Sequence, residues 1–217
     1  MRRQLSPNCG PRRDGLTPII IVIHYTAMRS AQAALERLCD PQAQVSAHYL
    51  ISAQGAVTQM VEEKDRAWHA GAGEWRGMTD INSRSIGVEL DNRGTHPFSE
   101  PLMTSLEIVL SGIMARWRIK PDSVIGHSDM APGRKTDPGP HFDWARLARR
   151  GLAAQGRARP SDATKDAAAL GGEAAFLNVA REAGFTAPAD FETLLHSVRL
   201  RHAPWRRGAL QAADFTL

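Results

Sequence analysis

Cysteine is almost absent: Cys9 and Cys39 are the only two in 217 residues, and they form no Cys-x-x-Cys pair. A zinc ribbon and a dithiol redox motif are thereby excluded. With no disulfide framework to build, the two read as a reduced pair. Long apolar runs are missing too. The first, residues 19–23, is too short for the core of a signal peptide and far too short to span a membrane. Residues 1–18 ahead of it carry Arg2, Arg3, Arg12 and Arg13 but no apolar stretch and no lipidated-cysteine context. The expectation is a cytoplasmic chain. Charge of one sign is not concentrated either: 27 Lys and Arg face 23 Asp and Glu, for a net +4 and a pI near 9.5, with the arginines scattered. There is no basic stripe with interleaved aromatics, so a nucleic-acid partner is not expected. The mild positive balance suits an anionic glycan as well as any other acidic polymer. With 42% hydrophobic and 23% charged residues, the composition excludes disorder and collagen, and no repeat is visible. The length suits one good core with a small appendage.

What is present alternates between strand and helix. Residues 19–25 (IIIVIHY) are a continuous β-branched run, the mark of a buried central strand. A short helix over 31–38 follows, then a hairpin from 47–52 (AHYLIS) and 56–61 (AVTQMV), split by Ala-Gln-Gly. SIGVEL (85–90) is a further strand, and Leu102, Leu106, Val109, Leu110, Ile113 and Trp117 recur at helical spacing. Pro121 stops that helix, 123–126 forms a brief strand into His127, and 144–150 is a closing helix. Strands alternating with helices make the main unit α/β. Residues 1–17 read as an N-terminal extension, 18–150 as the main domain, 151–172 as an Ala/Gly/Asp/Arg-rich linker, and 173–217 as a small helical module.

Chemistry is suggested first by His24, which ends an otherwise apolar strand on the face of Val22 and Ile20. Alone, such a ring is more often a satisfied core residue than a ligand. His127 also follows an apolar strand and opens a loop to Asp137 that holds three prolines and two glycines before His141. Two imidazoles and a carboxylate from separate segments are an ordinary catalytic zinc set, leaving a fourth position open. Spacing alone leaves the other reading standing, in which Lys135 and Asp137 are surface charges and His127 a turn residue. Glu89 shares the Gly87 face of its strand, where an ionised carboxylate is costly without a partner. It is either half of a structural ion pair or a general base whose pKa burial has raised.

The segments VIHYTA (22–27), VSAHYLIS (45–52), AWHAG (67–71), NSRSIGVEL (82–90) and IKPDSVIGHSDMAPGRKTDPGPHFDW (119–144) resemble, in order, the AmpD/AmiD group of N-acetylmuramoyl-L-alanine amidases. The resemblance implies a central mixed sheet flanked by helices and one Zn²⁺ per chain on His24, His127 and Asp137. It implies a catalytic glutamate at Glu89 and an oxyanion-stabilising lysine at Lys135. Phage amidases and peptidoglycan recognition proteins share the fold but carry Cys as third ligand and Tyr before the hairpin histidine. Asp137 and Ala47 stand at those positions here, which points to the glutamate-using branch. Tyr25, Trp68, His69, Asn82 and Arg134 are the candidate substrate contacts: aromatics offer a platform for a sugar face, and a guanidinium grips stem-peptide carboxylates. His48 reads as structural, and His96, His141, His196 and His202 as surface or packing residues. Residues 194–215 faintly resemble the helical peptidoglycan-binding domain attached to some of these amidases.

The function so implied is hydrolysis of the MurNAc–L-Ala amide of muropeptides, with 1,6-anhydro-muropeptides of cytoplasmic wall recycling as the expected substrates. The alternatives are a broad-specificity amidase of the cell envelope and a non-catalytic peptidoglycan-binding module. The sequence is silent on oligomeric state.

Overall fold

The structure is a computed structural model that describes residues 1–154 and 171–217. The expected linker, 151–172, lies for the most part outside the described residues. From the N-terminus run β1 (Arg2–Arg3), β2 (Cys9–Pro11), β3 (Ile20–Tyr25) and α1 (Ala31–Cys39). The middle of the chain forms β4 (Tyr49–Ile51), β5 (Val57–Gln59), β6 (Asp65–Ala67), α2 (Ile81–Arg84), β7 (Ser85–Leu90) and α3 (Glu100–Trp117). There follow β8 (Val124–Gly126), α4 (His127–Met130), α5 (Trp144–Arg149), α6 (Gly172–Ala183) and α7 (Phe191–His202). Six strands make a mixed sheet in the order β1-β5-β4-β7-β3-β8, with β2 and β6 paired apart from it. The central mixed sheet flanked by helices is the expected α/β architecture.

β3 is central because its β-branched run has no polar face to give to water, and Ile20, Ile21, Val22 and Ile23 are all buried. It pairs in parallel with β7 on one side and β8 on the other. Period-two alternation sorts side chains between two cores. Ile21 and Ile23 of β3 join Ile86, Val88 and Leu90 of β7 against the Leu102, Leu106, Leu110 and Ile113 stripe of α3. α3 stops at Arg118, which adopts a left-handed conformation (φ 56°) ahead of Pro121. The expected hairpin forms with β4 antiparallel to β5.

The opposite face of the sheet is covered by the C-terminal helices. Ile20, Val22 and Ile125 pack with Met130 and Trp75 against Phe176, Leu194, Leu195, Val198 and Phe215. The polar contacts are equally specific. Arg201 of α7 lies 4.1 Å over the Trp144 ring, donates to Asp129 Oδ2 at 2.6 Å and reaches the Val124 carbonyl at 3.1 Å. Ser197 donates to the Ser128 carbonyl at 2.5 Å. α7 begins at Asp190, whose carboxylate accepts the Thr193 amide at 2.8 Å as its N-cap.

Two local differences from the sequence-based expectation stand out. Arg2–Arg3 and Cys9–Pro11 are edge strands on β5 and β6, too short to leave a periodic signal. The segment from His127, expected as a loop, starts as a helical turn, because Asp129 Oδ2 accepts the Gly126 amide at 2.8 Å and starts it. Among the described residues no helix is long and apolar enough to cross a membrane.

Two buried histidines outside the triangle, His48 and His202, are held neutral. Burial, then Arg12, pushes His48 down to about 3. Burial, then Arg201, does the same to His202, also to about 3. Since both folded values lie below the ordinary 6.5, the unfolded chain binds more protons between about pH 3 and 6.5. Their stabilisation is therefore complete above about pH 6.5 and lost as pH falls toward 3. Urea denaturation of chelator-treated protein should show a stability slope of about 1.4 kcal/mol per pH unit for each such group. H202Q should remove one group's share of that slope; an unaltered slope would mean His202 is not buried neutral.

Candidate metal centre

The parallel register of β3, β7 and β8 brings three strand ends to one edge of the sheet. His24 stands opposite Glu89, and Ile23 opposite Gly126, so the next residue, His127, arrives beside His24. Asp137 returns on the loop after α4, its carbonyl accepting the Ser128 amide at 2.9 Å. Gly126 makes this return possible: a Cβ there would lie 2.7 Å from Pro138 Cδ.

His24 Nδ1, His127 Nδ1 and Asp137 Oδ2 form a triangle with edges of 2.9, 3.0 and 3.1 Å, and all three residues are buried. A tetrahedral ion with bonds of about 2.0–2.1 Å needs ligand atoms about 3.3–3.4 Å apart, only slightly more than is found. The donor chemistry fits as well. His127 Nε2 faces the Ala70 carbonyl at 2.8 Å, so the neutral ring carries its proton there and turns an Nδ1 lone pair into the triangle. The group can hold a metal ion.

Charge states follow from the surroundings. Burial, then the neighbouring His127, lowers His24 to about 4, keeping the ring neutral near pH 7. Burial, then the Asp137 charge, pushes Glu89 up to about 8 against the opposing pull of Lys135. Glu89 Oε2 is buried without a hydrogen-bond partner, which argues against half of a structural ion pair.

These residues line a cleft of about 400 Å³. Tyr25, Trp68, His69, Arg134, Lys135 and Thr136 share its wall, and the Tyr25 hydroxyl is 3.1 Å from Thr136 Oγ1. Arg134 donates to the carbonyls of Ala70, at 2.7 Å, and Ala72, so part of its guanidinium is committed to the backbone of residues 70–72. Asn82 stands apart from the other expected contacts. It is buried outside the lining, and its Oδ1 accepts the His69 and Ala70 amides at 3.0 and 2.8 Å. With that oxygen occupied, it fixes the 67–71 backbone. His48 likewise faces inward, accepting the Gly87 amide at 3.0 Å with Nε2 3.1 Å from the Asp65 carbonyl. Arg37 of α1 also reaches the cleft, a residue not foreseen from the sequence, where it reads as one charge on an exposed helix face. Ser85 was missed too; period-two alternation with Gly87 and Glu89 is the signal that carries it.

The sequence model of the family described as N-acetylmuramoyl-L-alanine amidase (Amidase_2) matches residues 14–140. The chain is 42% identical over 151 residues to N-acetylmuramoyl-L-alanine amidase AmiD of Escherichia coli K12, covering 62% of this chain and 54% of that relative. It thus spans about half the length of that relative. It is 35% identical over 163 residues to 1,6-anhydro-N-acetylmuramyl-L-alanine amidase AmpD of the same organism, covering 67% of this chain and 89% of the relative. Among solved structures, E. coli AmiD in complex with anhydro-N-acetylmuramic acid-L-Ala-D-γ-Glu-L-Lys is similar at TM-score 0.81 and 31% identity, over 98% of this chain and 90% of that one. AmpDh3 of Pseudomonas aeruginosa with an anhydromuramic pentapeptide is similar at TM-score 0.80 and 26% identity, over 99% and 92%.

Competition with a chromophoric chelator measures the site directly. D137A should weaken divalent-metal binding by more than about 100-fold, beyond what loss of an outer-shell partner causes. G126A, which forces Pro138 and Asp137 outward, should weaken it by about 10-fold while the protein stays folded by circular dichroism. Unchanged affinity in D137A would remove Asp137 from the metal group.

Proposed function

Since this chain belongs to the N-acetylmuramoyl-L-alanine amidase family, we propose that it is a zinc-dependent hydrolase of the MurNAc–L-Ala amide, acting on 1,6-anhydro-muropeptides released in wall turnover. The observation that carries the proposal is the buried His24–His127–Asp137 triangle at the floor of a cleft that also holds Glu89 and Lys135. Residues 18–150 carry the chemistry in this reading, and 173–217 form a helical module packed beneath them.

His24, His127 and Asp137 would hold the zinc ion, which would supply Lewis acidity toward the amide carbonyl and bring the pKa of water to about 7. Glu89 takes the proton of the attacking water and returns it to the alanine nitrogen as the C–N bond breaks. A carboxyl raised toward neutrality by burial and Asp137 suits both halves of that transfer. Lys135, on the exposed wall, donates to the carbonyl oxygen as negative charge builds, a contribution of about 2.7–4 kcal/mol for such a donor. Arg134 and Arg37 give the cleft positive charge for the carboxylates of a stem peptide. Trp68 and Tyr25 offer flat apolar surface to the sugar.

A broader specificity is the second reading, and the higher identity to AmiD than to AmpD favours it. Defined anhydro and non-anhydro muropeptides, with sacculi alongside, separate the two. Preference for the anhydro species is expected, and equal rates on all three would overturn the recycling role. A cytoplasmic site of action goes with that role and is tested by cell fractionation.

Chelation should abolish turnover and Zn²⁺ restore it; full activity in metal-free protein would sink the mechanism. E89Q should lose about 10²–10⁴-fold in turnover with zinc content unchanged. A base must be deprotonated, so kcat/KM should rise with pH through the Glu89 pKa. That limb lies between the ordinary 4.5 and the about 8 set by burial and Asp137, because a bound cation draws it downward. E89Q should lack it.

A further inference from the structure

The 67–71 segment also reaches both imidazoles of the triangle from behind, through His69 and Ala70, which have no role in the mechanism above. His69 Nδ1 is 3.0 Å from His24 Nε2, and its other nitrogen, Nε2, is 3.1 Å from Ser85 Oγ. Ser85 has one hydroxyl proton and donates it to the Ile81 carbonyl at 2.6 Å, an atom that can only accept. Toward His69 the hydroxyl therefore accepts, and His69 carries its proton on Nε2. The bare Nδ1 must then accept from His24 Nε2–H. His24 is left with an unprotonated Nδ1, the nitrogen that faces His127 and Asp137. The next residue does the same for the other imidazole, since the Ala70 carbonyl takes the His127 Nε2 proton at 2.8 Å.

Two further features fit no other purpose so well. The His69 ring lies over β7 where Gly87 has no side chain: a Cβ there would be 2.5 Å from His69 Cγ and 2.6 Å from Nδ1. Asn82 Oδ1 holds the His69 and Ala70 amides together at 3.0 and 2.8 Å, so both hydrogen-bonding elements are set by one clamp.

We propose that His69 is a positioning residue: through the Ile81–Ser85–His69–His24 hydrogen-bond chain it makes His24 present a bare Nδ1 to the metal. Ser85 sets the direction of the chain and Gly87 makes room for the ring. This rests on the metal-dependent reading of the site. It differs from a substrate-contact role for His69, which the position of the ring on the cleft wall would also allow.

The decisive measurements are made on the full chain. In the metal-free wild type, ¹⁵N histidine spectra should show His24 and His69 both protonated at Nε2. A His24 protonated at Nδ1 would overturn the proposal without any variant. H69L fills the volume but cannot accept a proton, and should weaken zinc binding about 10–100-fold by chelator competition and alter the visible spectrum of the cobalt-loaded enzyme. Its KM for muropeptide should stay constant while kcat falls. H69N, whose carboxamide oxygen falls near the place of Nδ1, should recover most of the affinity. G87A, with His69 intact, should reproduce the loss. A raised KM with unaltered zinc affinity in H69L would make His69 a substrate contact instead; unaltered affinity and KM would make it packing alone. Failure of the wild type itself to bind zinc would strike the proposed function, a result distinct from all of these.

Discussion

Three atoms that each call for a proton or a cation stand within 3.1 Å of one another in a buried site: two imidazole nitrogens and a carboxylate oxygen. Both rings are neutral when their outer nitrogens hold the protons, so the triangle faces inward with lone pairs and one negative charge. Without a cation the arrangement is electrostatically unfavourable, and much of the surrounding fold serves to maintain it. The parallel register delivers the histidines side by side, Gly126 admits the returning loop, and the 67–71 segment occupies the outer nitrogens.

The same constraint accounts for the placement of the C-terminal helices. The His127 turn is four residues long and could not hold its geometry alone. Asp129 within it is bound by Arg201 of α7, and Ser128 by Ser197. A buried ion pair such as Arg201–Asp129 adds little net stability, since desolvation offsets its attraction. Breaking it is expensive, however, at about 3–5 kcal/mol, because a lone charge is left inside. Such a pair fixes where one element sits on another, and here the element it fixes carries His127 of the triangle. The apolar surface that Phe176, Leu194, Leu195 and Val198 bury against Ile20, Val22 and Ile125 supplies the adhesion.

β7 condenses the division of labour. On one face Ile86, Val88 and Leu90 bind the sheet to α3. On the other, Ser85, Gly87 and Glu89 are in turn a hydrogen-bond acceptor for His69, a space for its ring, and the carboxylate of the cleft. One six-residue strand thus links core packing, the seating of His69 and the proposed proton transfer.

Much of this was legible without coordinates. The β-branched run of β3, the heptad-like stripe of α3 and the alternation in β7 each declare an element and its buried face, because side-chain period is a local property of backbone geometry. Family resemblance picked His24, His127 and Asp137 from eight histidines and 23 acidic residues. The edge strands β1 and β2 and the helical turn at His127 escaped because two to four residues are too few to show a period. What only the tertiary structure decided is direction and company. That Asn82 holds a backbone segment, that Arg37 enters the cleft, and that the C-terminal helices lie under the His127 turn all depend on contacts between residues far apart in sequence. The orientation of a hydrogen bond depends in the same way on the whole chain of partners, ending here at the Ile81 carbonyl, a group that every residue possesses and no sequence singles out.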